Sequence, residues 1–425
     1  MKNQEFLDAL LGLLAIDSVA LVDPTPESPY GTGPAKALDY VLKLCEKLGI
    51  RTVNRDGKVA WAEIGEGDEI VGILGHLDIV PAGEGWSHSP WGEVCGDRLY
   101  GRGTADDKGP TMAALFAMKD VQDAGVPLKR RVRLIFGQTE EIGNWDDMVW
   151  YTEHEQLPVF GFTPDAEFPA IYGEKGILNF LLTMPLEQSG LLSIKGGDAG
   201  NMVPGWAMAT VPGTDGPVAY RVKGRSAHAS TPDKGLNAIS VLMESLAAAG
   251  VDSPLVDFYN KHIGYDCSGG KMGCGFEDVQ SGKLTLNAGT VRVEAGLVQL
   301  LVDIRNPVTF NGDQVQAAIE AACAPYGIAV TRTEDRKGVY MDKDGKVIQT
   351  MMNVYREITG DDSEPLVIGG GTYARAMPGI VAFGPMQPGR ETTEHQKDEY
   401  MLLEDLYQAR EIYRLTIEKL ANLEV

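Results

Sequence analysis

The residues of this chain that could do chemistry fall at the ends of apolar runs. His76 and Asp78 follow IVGILG, Glu140 and Glu141 follow RVRLIFG, Asp165 follows VFGFTP, and His395 comes a loop after GIVAFG. Between the first two runs lies GRGTADDKGP, residues 101–110, with the adjacent carboxylates Asp106 and Asp107. Three glycines and a proline do not suit the middle of a helix or strand. Pro110 does suit the first turn of a helix through TMAALFAMKDVQ. Carboxylates just ahead of a helix N-terminus meet free N–H groups and the positive end of the dipole, so they stay ionised. For this segment alone, a metal-ligating Asp106 and a solvated turn with a helix cap both fit.

The joint placement says more than any one residue. In an open α/β sheet, ligands bind at the carboxyl ends of the strands. His76, Asp106, Glu141, Asp165 and His395 would therefore converge at one end of one sheet. Two imidazoles and three carboxylates suit a pair of borderline divalent ions, zinc first and manganese second, sharing a bridging carboxylate. Such ions, about 3.5–4 Å apart, lower the pKa of a water and polarise a carbonyl.

The elements that must carry these residues read as α/β. Helical patterns cover 3–16 and 34–48, strands follow at VAWAEI and IVGILG, and the alternation continues to about residue 174. This predicts a mixed, largely parallel sheet with helices on both faces. From 175 to 340 the strands come in groups with helices at LNAISVLMESLAAAG and GDQVQAAIEAACAPYG, the pattern of an inserted α+β domain. From 341 to 425 the first pattern returns and completes the catalytic domain begun by 1–174.

Composition narrows the function classes. At 425 residues the chain exceeds one ordinary core. A net charge of −22 without a basic run argues against nucleic-acid partners. The cysteines Cys45, Cys95, Cys267, Cys274 and Cys323 form no C-x-x-C pair, which fits reduced thiols in a cytoplasmic protein. The N-terminal FLDALLGLLAI carries Asp8 and helical spacing of its apolar residues, so it reads as an amphipathic helix and not a signal segment. No apolar stretch is long enough to span a membrane.

HLD, GRGTADDKGP, the Glu-Glu pair, a following Asp, SAHAS and a late His together resemble the co-catalytic metallopeptidases of clan MH. That group includes aminoacylases, carboxypeptidase G, succinyl-diaminopimelate desuccinylase and PepV-type dipeptidases. GNMVP, SAHASTPDKGLNAI, IGGGTYARAMP and EHQKDEY are most similar to the dipeptidases, and the likeness runs nearly end to end.

The resemblance implies roles. Asp106 bridges two metals, His76 and Asp165 complete one, and Glu141 and His395 complete the other. Glu140 acts as general base and acid, and Asp78 orients the His76 imidazole. The Asp106–Asp107 bond is expected to be cis. His228 hydrogen-bonds the tetrahedral oxyanion. Asn201, Arg305, Gly370 and Gly371, the last two within the Gly369–Gly371 turn, capture the terminal carboxylate of the substrate. Asn306-Pro307 stands where the family often has an aromatic after the arginine. The implied activity is hydrolysis of dipeptides or short unblocked peptides, with N-acyl-amino-acid or succinyl-diaminopimelate hydrolysis as the alternative. The inserted 175–340 segment, longer than the family's usual dimerisation domain, would act as a lid supplying His228 within one chain. That favours a monomer, with a homodimer as the other arrangement.

Overall fold

A computed structural model describes residues 2–424. The chain separates into two compact units. The first comprises residues 1–172, 341–366 and 372–425; the second comprises 173–340 and 367–371.

The first unit is built on a mixed sheet. Across six of its strands the order is Arg51–Asn54, Ala60–Ile64, Arg131–Gly137, Ile70–His76, Phe160–Thr163 and Ile380–Ala382. The first two strands and their join to Arg131–Gly137 are antiparallel, while the last four strands run parallel. Ile70–His76 is buried along its whole length, as a central strand covered on both faces must be. Alternation sets the two faces. Ile73 and Leu134 meet the helices Lys2–Leu14, Thr32–Leu48, Lys108–Asp123, Lys346–Thr359 and Leu403–Ala421 in one large core. Leu74 and Ile135 point the other way, into a smaller cluster with Met148, Tyr151 and Tyr373.

The second unit is an antiparallel sheet on helices. Its seven strands run in the order Val218–Lys223, Trp206–Val211, Ser193–Gly196, Thr285–Glu294, Leu297–Asn306, Gly176–Pro185 and Ala329–Arg336. In Gly176–Pro185, Leu178, Phe180, Leu182 and Met184 point inward and alternate with partly exposed neighbours. They share one core with the helices Ala238–Ala248, Pro254–His262 and Gly312–Cys323. These helices are capped as their sequences indicate: Asn237 and Ser253 accept from first-turn N–H groups, and Asn311 with Gln314 forms a capping box.

All five cysteines are free thiols. Among the described residues no helix is long and apolar enough to cross a membrane.

Candidate metal centre

Among the described residues, two groups of potential ligands share one member. The ligand atoms of His76, Asp106 and Asp165 lie within 4.8 Å of one another, and so do those of Asp106, Glu141 and His395. Asp106 offers one oxygen to each side. Its Oδ1 is 3.0 Å from His76 Nε2 and its Oδ2 is 2.9 Å from His395 Nε2. His395 Nε2 is also 3.1 Å from Glu141 Oε2.

Each ligand is held from behind. His76 ends its buried strand, and its Nδ1 lies 3.0 Å from the Asp78 carbonyl oxygen, which leaves Nε2 directed at Asp106. Asp106 and Asp107 are joined by a cis peptide bond. The Asp107 carboxylate accepts from the main-chain N–H of His76 (3.1 Å) and from the Thr111 hydroxyl (2.8 Å). Gly75 permits this approach. A Cβ there would lie 2.0 Å from the Thr111 hydroxyl and 3.0 Å from the Asp107 carboxylate. The turn's lysine, Lys108, sends its Nζ to the Ile16 carbonyl at 2.7 Å and lies 3.4 Å from the Leu13 carbonyl, so it fastens the turn to the end of the first helix.

The Glu140-Glu141 turn is fixed by three groups. Asp78 accepts from both backbone N–H groups, at 3.2 and 3.0 Å. Buried Asp147 accepts from the Gln138 N–H and the Thr139 hydroxyl, just upstream. The Trp145 indole N–H donates to the Glu140 carbonyl at 3.2 Å. The carboxylate of Asp78 thus bonds the glutamate turn. The His76 imidazole is met mainly by the Asp78 carbonyl, because Asp78 Oδ1 is 3.5 Å from Nδ1. Asp165 receives the Tyr373 N–H at 3.4 Å, and the Tyr373 ring meets the His76 ring edge-on at 5.9 Å.

The electrostatics describe a pocket short of positive charge. Burial pushes the Asp165 carboxyl well above its usual range, and the Asp106 carboxylate pushes it further. Burial likewise raises Glu140 to about 7, despite the opposing His76 imidazole. Burial also acts to raise Asp106, but hydrogen bonds from His395 and His76 outweigh it and hold that group below the ordinary carboxylate range. His395 is raised to about 10 by its hydrogen bonds to Asp106 and Glu141. Among the described residues, Glu141 Oε1 is buried without a hydrogen-bond partner. A donor set of imidazole nitrogens and crowded carboxylates, with an orphaned buried oxygen, fits divalent cations.

The other expected residues belong to the second unit. His228 and Asn201 stand on neighbouring segments, joined where Ala229 N–H donates to the Asn201 carbonyl at 2.9 Å. His228 Nδ1 accepts the Ser230 N–H at 3.2 Å, with the Ser230 hydroxyl 2.7 Å away. Burial, then the Arg305 charge, lowers the pKa of this imidazole. A neutral ring whose Nδ1 accepts carries its proton on Nε2, where it can be donated.

Arg305 is buried, and its Nε and Nη2 bind both oxygens of Asp303 at 2.8 and 2.9 Å. Nη1 donates to the Gly369 carbonyl at 3.1 Å. Two of the guanidinium's five N–H groups remain for a ligand. The Nε–Nη2 edge of the guanidinium is therefore occupied by Asp303. Asn306 spends a side-chain N–H on the Phe310 carbonyl, closing the Pro307–Phe310 turn where the family often has an aromatic. Gly370 and Gly371 continue from Gly369, which packs against Ser230 so closely that a Cβ would lie 2.8 Å from the Ser230 Cβ.

Known proteins resemble this chain in sequence and in fold. Residues 72–419 match the model of peptidase family M20/M25/M40. A Bacillus subtilis (strain 168) protein named "Putative dipeptidase YtjP" is 37% identical over 460 aligned positions, covering 99% of this chain and 98% of that one. Among solved structures, an M20 family metallo-carboxypeptidase, Sso-CP2 from Sulfolobus solfataricus, superposes with a TM-score of 0.62 at 18% identity, covering 99% and 100% of the two chains. Human carnosine dipeptidase 1 superposes at 0.61 and 16% identity, covering 99% and 97%. Those two likenesses carry the fold. The family match across most of the chain carries membership: this protein belongs to peptidase family M20/M25/M40 and is a metallopeptidase.

Proposed function

We propose that the protein hydrolyses the peptide bond of dipeptides or short unblocked peptides at a centre of two divalent ions. The observation that carries this reading is the shared carboxylate. Asp106 meets two separate imidazoles through its two oxygens, and each imidazole has a further carboxylate beside it. His76, Asp106 and Asp165 would hold one ion, and Asp106, Glu141 and His395 the other. Zinc suits this donor set best and manganese next. When bound, the ions supply Lewis acidity, which polarises a carbonyl and eases removal of a proton from water.

The chain's own residues do the rest. Glu140 removes the proton from the attacking water at its carboxylate and delivers it to the departing amine nitrogen. Asp78 keeps that glutamate in place through the two N–H groups of its turn. His228 donates a hydrogen bond from its Nε2–H to the carbonyl oxygen as charge develops there. Arg305, through its two remaining N–H groups, binds the substrate's terminal carboxylate together with Asn201 and the Gly370–Gly371 turn. The dipeptidase reading is also supported by the name of the relative that aligns over nearly the whole chain.

The test is a panel of dipeptides, tripeptides and N-acyl amino acids offered to protein reconstituted with zinc or manganese. Cleavage of free dipeptides in preference to N-acyl amino acids is the expected result. Hydrolysis of N-acyl amino acids alone would replace this reading with that of an amidohydrolase.

A further inference from the structure

The segment EHQKDEY contains an acid that the chemistry above does not use. Glu399 lies four residues beyond His395 and is fully buried. Its Oε1 accepts from the N–H groups of Gly103 at 3.0 Å and Ala105 at 2.9 Å, and lies 3.4 Å from that of Asp106. Its Oε2 accepts from the buried Arg102 guanidinium. Its main-chain carbonyl accepts from the Gly101 N–H at 3.0 Å. Both the side chain and the backbone carbonyl of this one residue are therefore committed to residues 101–106.

The loop that carries His395 has other fastenings, the Arg390 guanidinium on Asp405 and Glu404 and the Thr393 hydroxyl on the Tyr400 backbone, but these do not reach residues 101–106. Residues 387–399 contain no helix or strand, and His395 itself is left-handed, with φ at 62°. Beyond that loop, Tyr400–Leu402 pairs with Arg98–Tyr100, a ladder that reaches no further toward Asp106 than the Gly101 N–H. The Glu399 side chain bridges the remaining distance, where the backbones diverge. On the other flank, the Asp398 carboxylate takes the N–H groups of Ser87 and His88 and so fixes the loop without touching the Asp106 turn. A buried carboxyl group facing two or three N–H groups and a guanidinium is strongly bound, and such a contact is costly to shift.

We propose that Glu399 is a positioning residue for the metal centre, holding the Asp106 turn against the His395 loop so that the shared carboxylate and this imidazole are in register before an ion binds. The proposal rests on the two-ion reading. Preorganisation of this kind shows in ion affinity, because without it each binding event must also order the turn.

The test uses full-length protein and cobalt(II) as a spectroscopic probe. In R102M/E399Q the buried charge pair is gone, but one side-chain oxygen remains for the Gly103 and Ala105 N–H groups. In R102M/E399L no oxygen remains. Expected cobalt affinity is within about threefold of wild type for the first variant and at least tenfold weaker for the second, beyond any change in the melting temperature of the chelator-treated proteins. A purely structural role would lower that melting temperature and leave both affinities unchanged, which would overturn the proposal.

Hydrogen exchange on chelator-treated wild type gives a second measurement that needs no variant. The amides of Gly103 and Ala105 should already be protected, and exchange that slows only after cobalt is added would also overturn the proposal. Failure of the underlying reading looks different: wild type itself would bind fewer than two equivalents.

Discussion

Asp78 offers the sharpest separation between two accounts of the same residue. Its carboxylate accepts the Glu140 and Glu141 N–H groups at 3.2 and 3.0 Å, while the His76 Nδ1 is met by its carbonyl. Asp78→Asn preserves the size and the backbone carbonyl but keeps only one acceptor oxygen, and its amide NH2 must face the other N–H. A hydrogen bond to a charged group contributes about 1.5–3 kcal/mol net, so one such contribution is lost. If that loss falls on the placement of Glu140 during turnover, kcat drops roughly 10- to 150-fold, at about 1.4 kcal/mol per factor of ten. The assay is dipeptide hydrolysis over a range of metal concentrations, with metal content and melting temperature measured on the same samples. The reasoning requires kcat to stay low at saturating metal. If D78N binds metal more weakly yet regains wild-type kcat at saturation, Asp78 acts through the imidazole and the assignment to the glutamate turn is wrong.

Other perturbations follow from the same geometry. Glu140→Gln should lower kcat by about 10²- to 10⁴-fold while two equivalents of metal remain bound; loss of metal together with activity would make Glu140 a ligand instead. His228→Ala should lower kcat by about 10²- to 10³-fold with metal content unchanged, and an effect confined to KM would remove it from the oxyanion role. Tyr373→Phe deletes a buried hydroxyl that has no hydrogen-bond partner among the described residues, so the melting temperature should rise, by the equivalent of about 1 kcal/mol. A fall would show that the hydroxyl is satisfied in solution. Gly137→Ala places a Cβ 2.2 Å from that hydroxyl and should destabilise by about 1–3 kcal/mol. Y373F in the same chain should recover only part, because ring carbons lie 2.8 Å away.

The strand-end logic of the sequence reached the candidate ligands because hydrophobic runs of a buried parallel sheet are easily seen, and polar residues after them mark one edge. His76, Glu141 and Asp165 each follow such a run. Supporting residues lacked any such signal. Glu399 and Asp147 are acids in polar stretches, and only the folded chain shows them buried against N–H groups. Tyr373 sits within GGGTYAR, whose glycines are the segment's plainest signal, yet its ring and N–H touch His76 and Asp165.

Several elements also escaped the sequence reading, for physical reasons. Asp146–His154 begins after a left-handed Trp145 and is only nine residues long, too short for periodicity to emerge. Pro254–His262, opened by Ser253 and a proline, has the same length. Ala329–Arg336 is an edge strand with mostly polar residues and little burial, so its alternation carries no hydrophobic contrast. Trp206–Val211 buries two alanines and a valine, which blunts the alternation. The pairing of Arg305 with Asp303, two residues earlier in the same strand, needed the structure as well, because it depends on both side chains lying on one face.

The central claim is that two ions sharing Asp106 are needed for peptide hydrolysis. The direct measurement is activity on a dipeptide as zinc or manganese is added back, one fraction of an equivalent at a time, to chelator-treated protein. The account predicts no turnover without metal and a plateau reached at two equivalents per chain. Full activity at one equivalent, or activity that persists without metal, would contradict it.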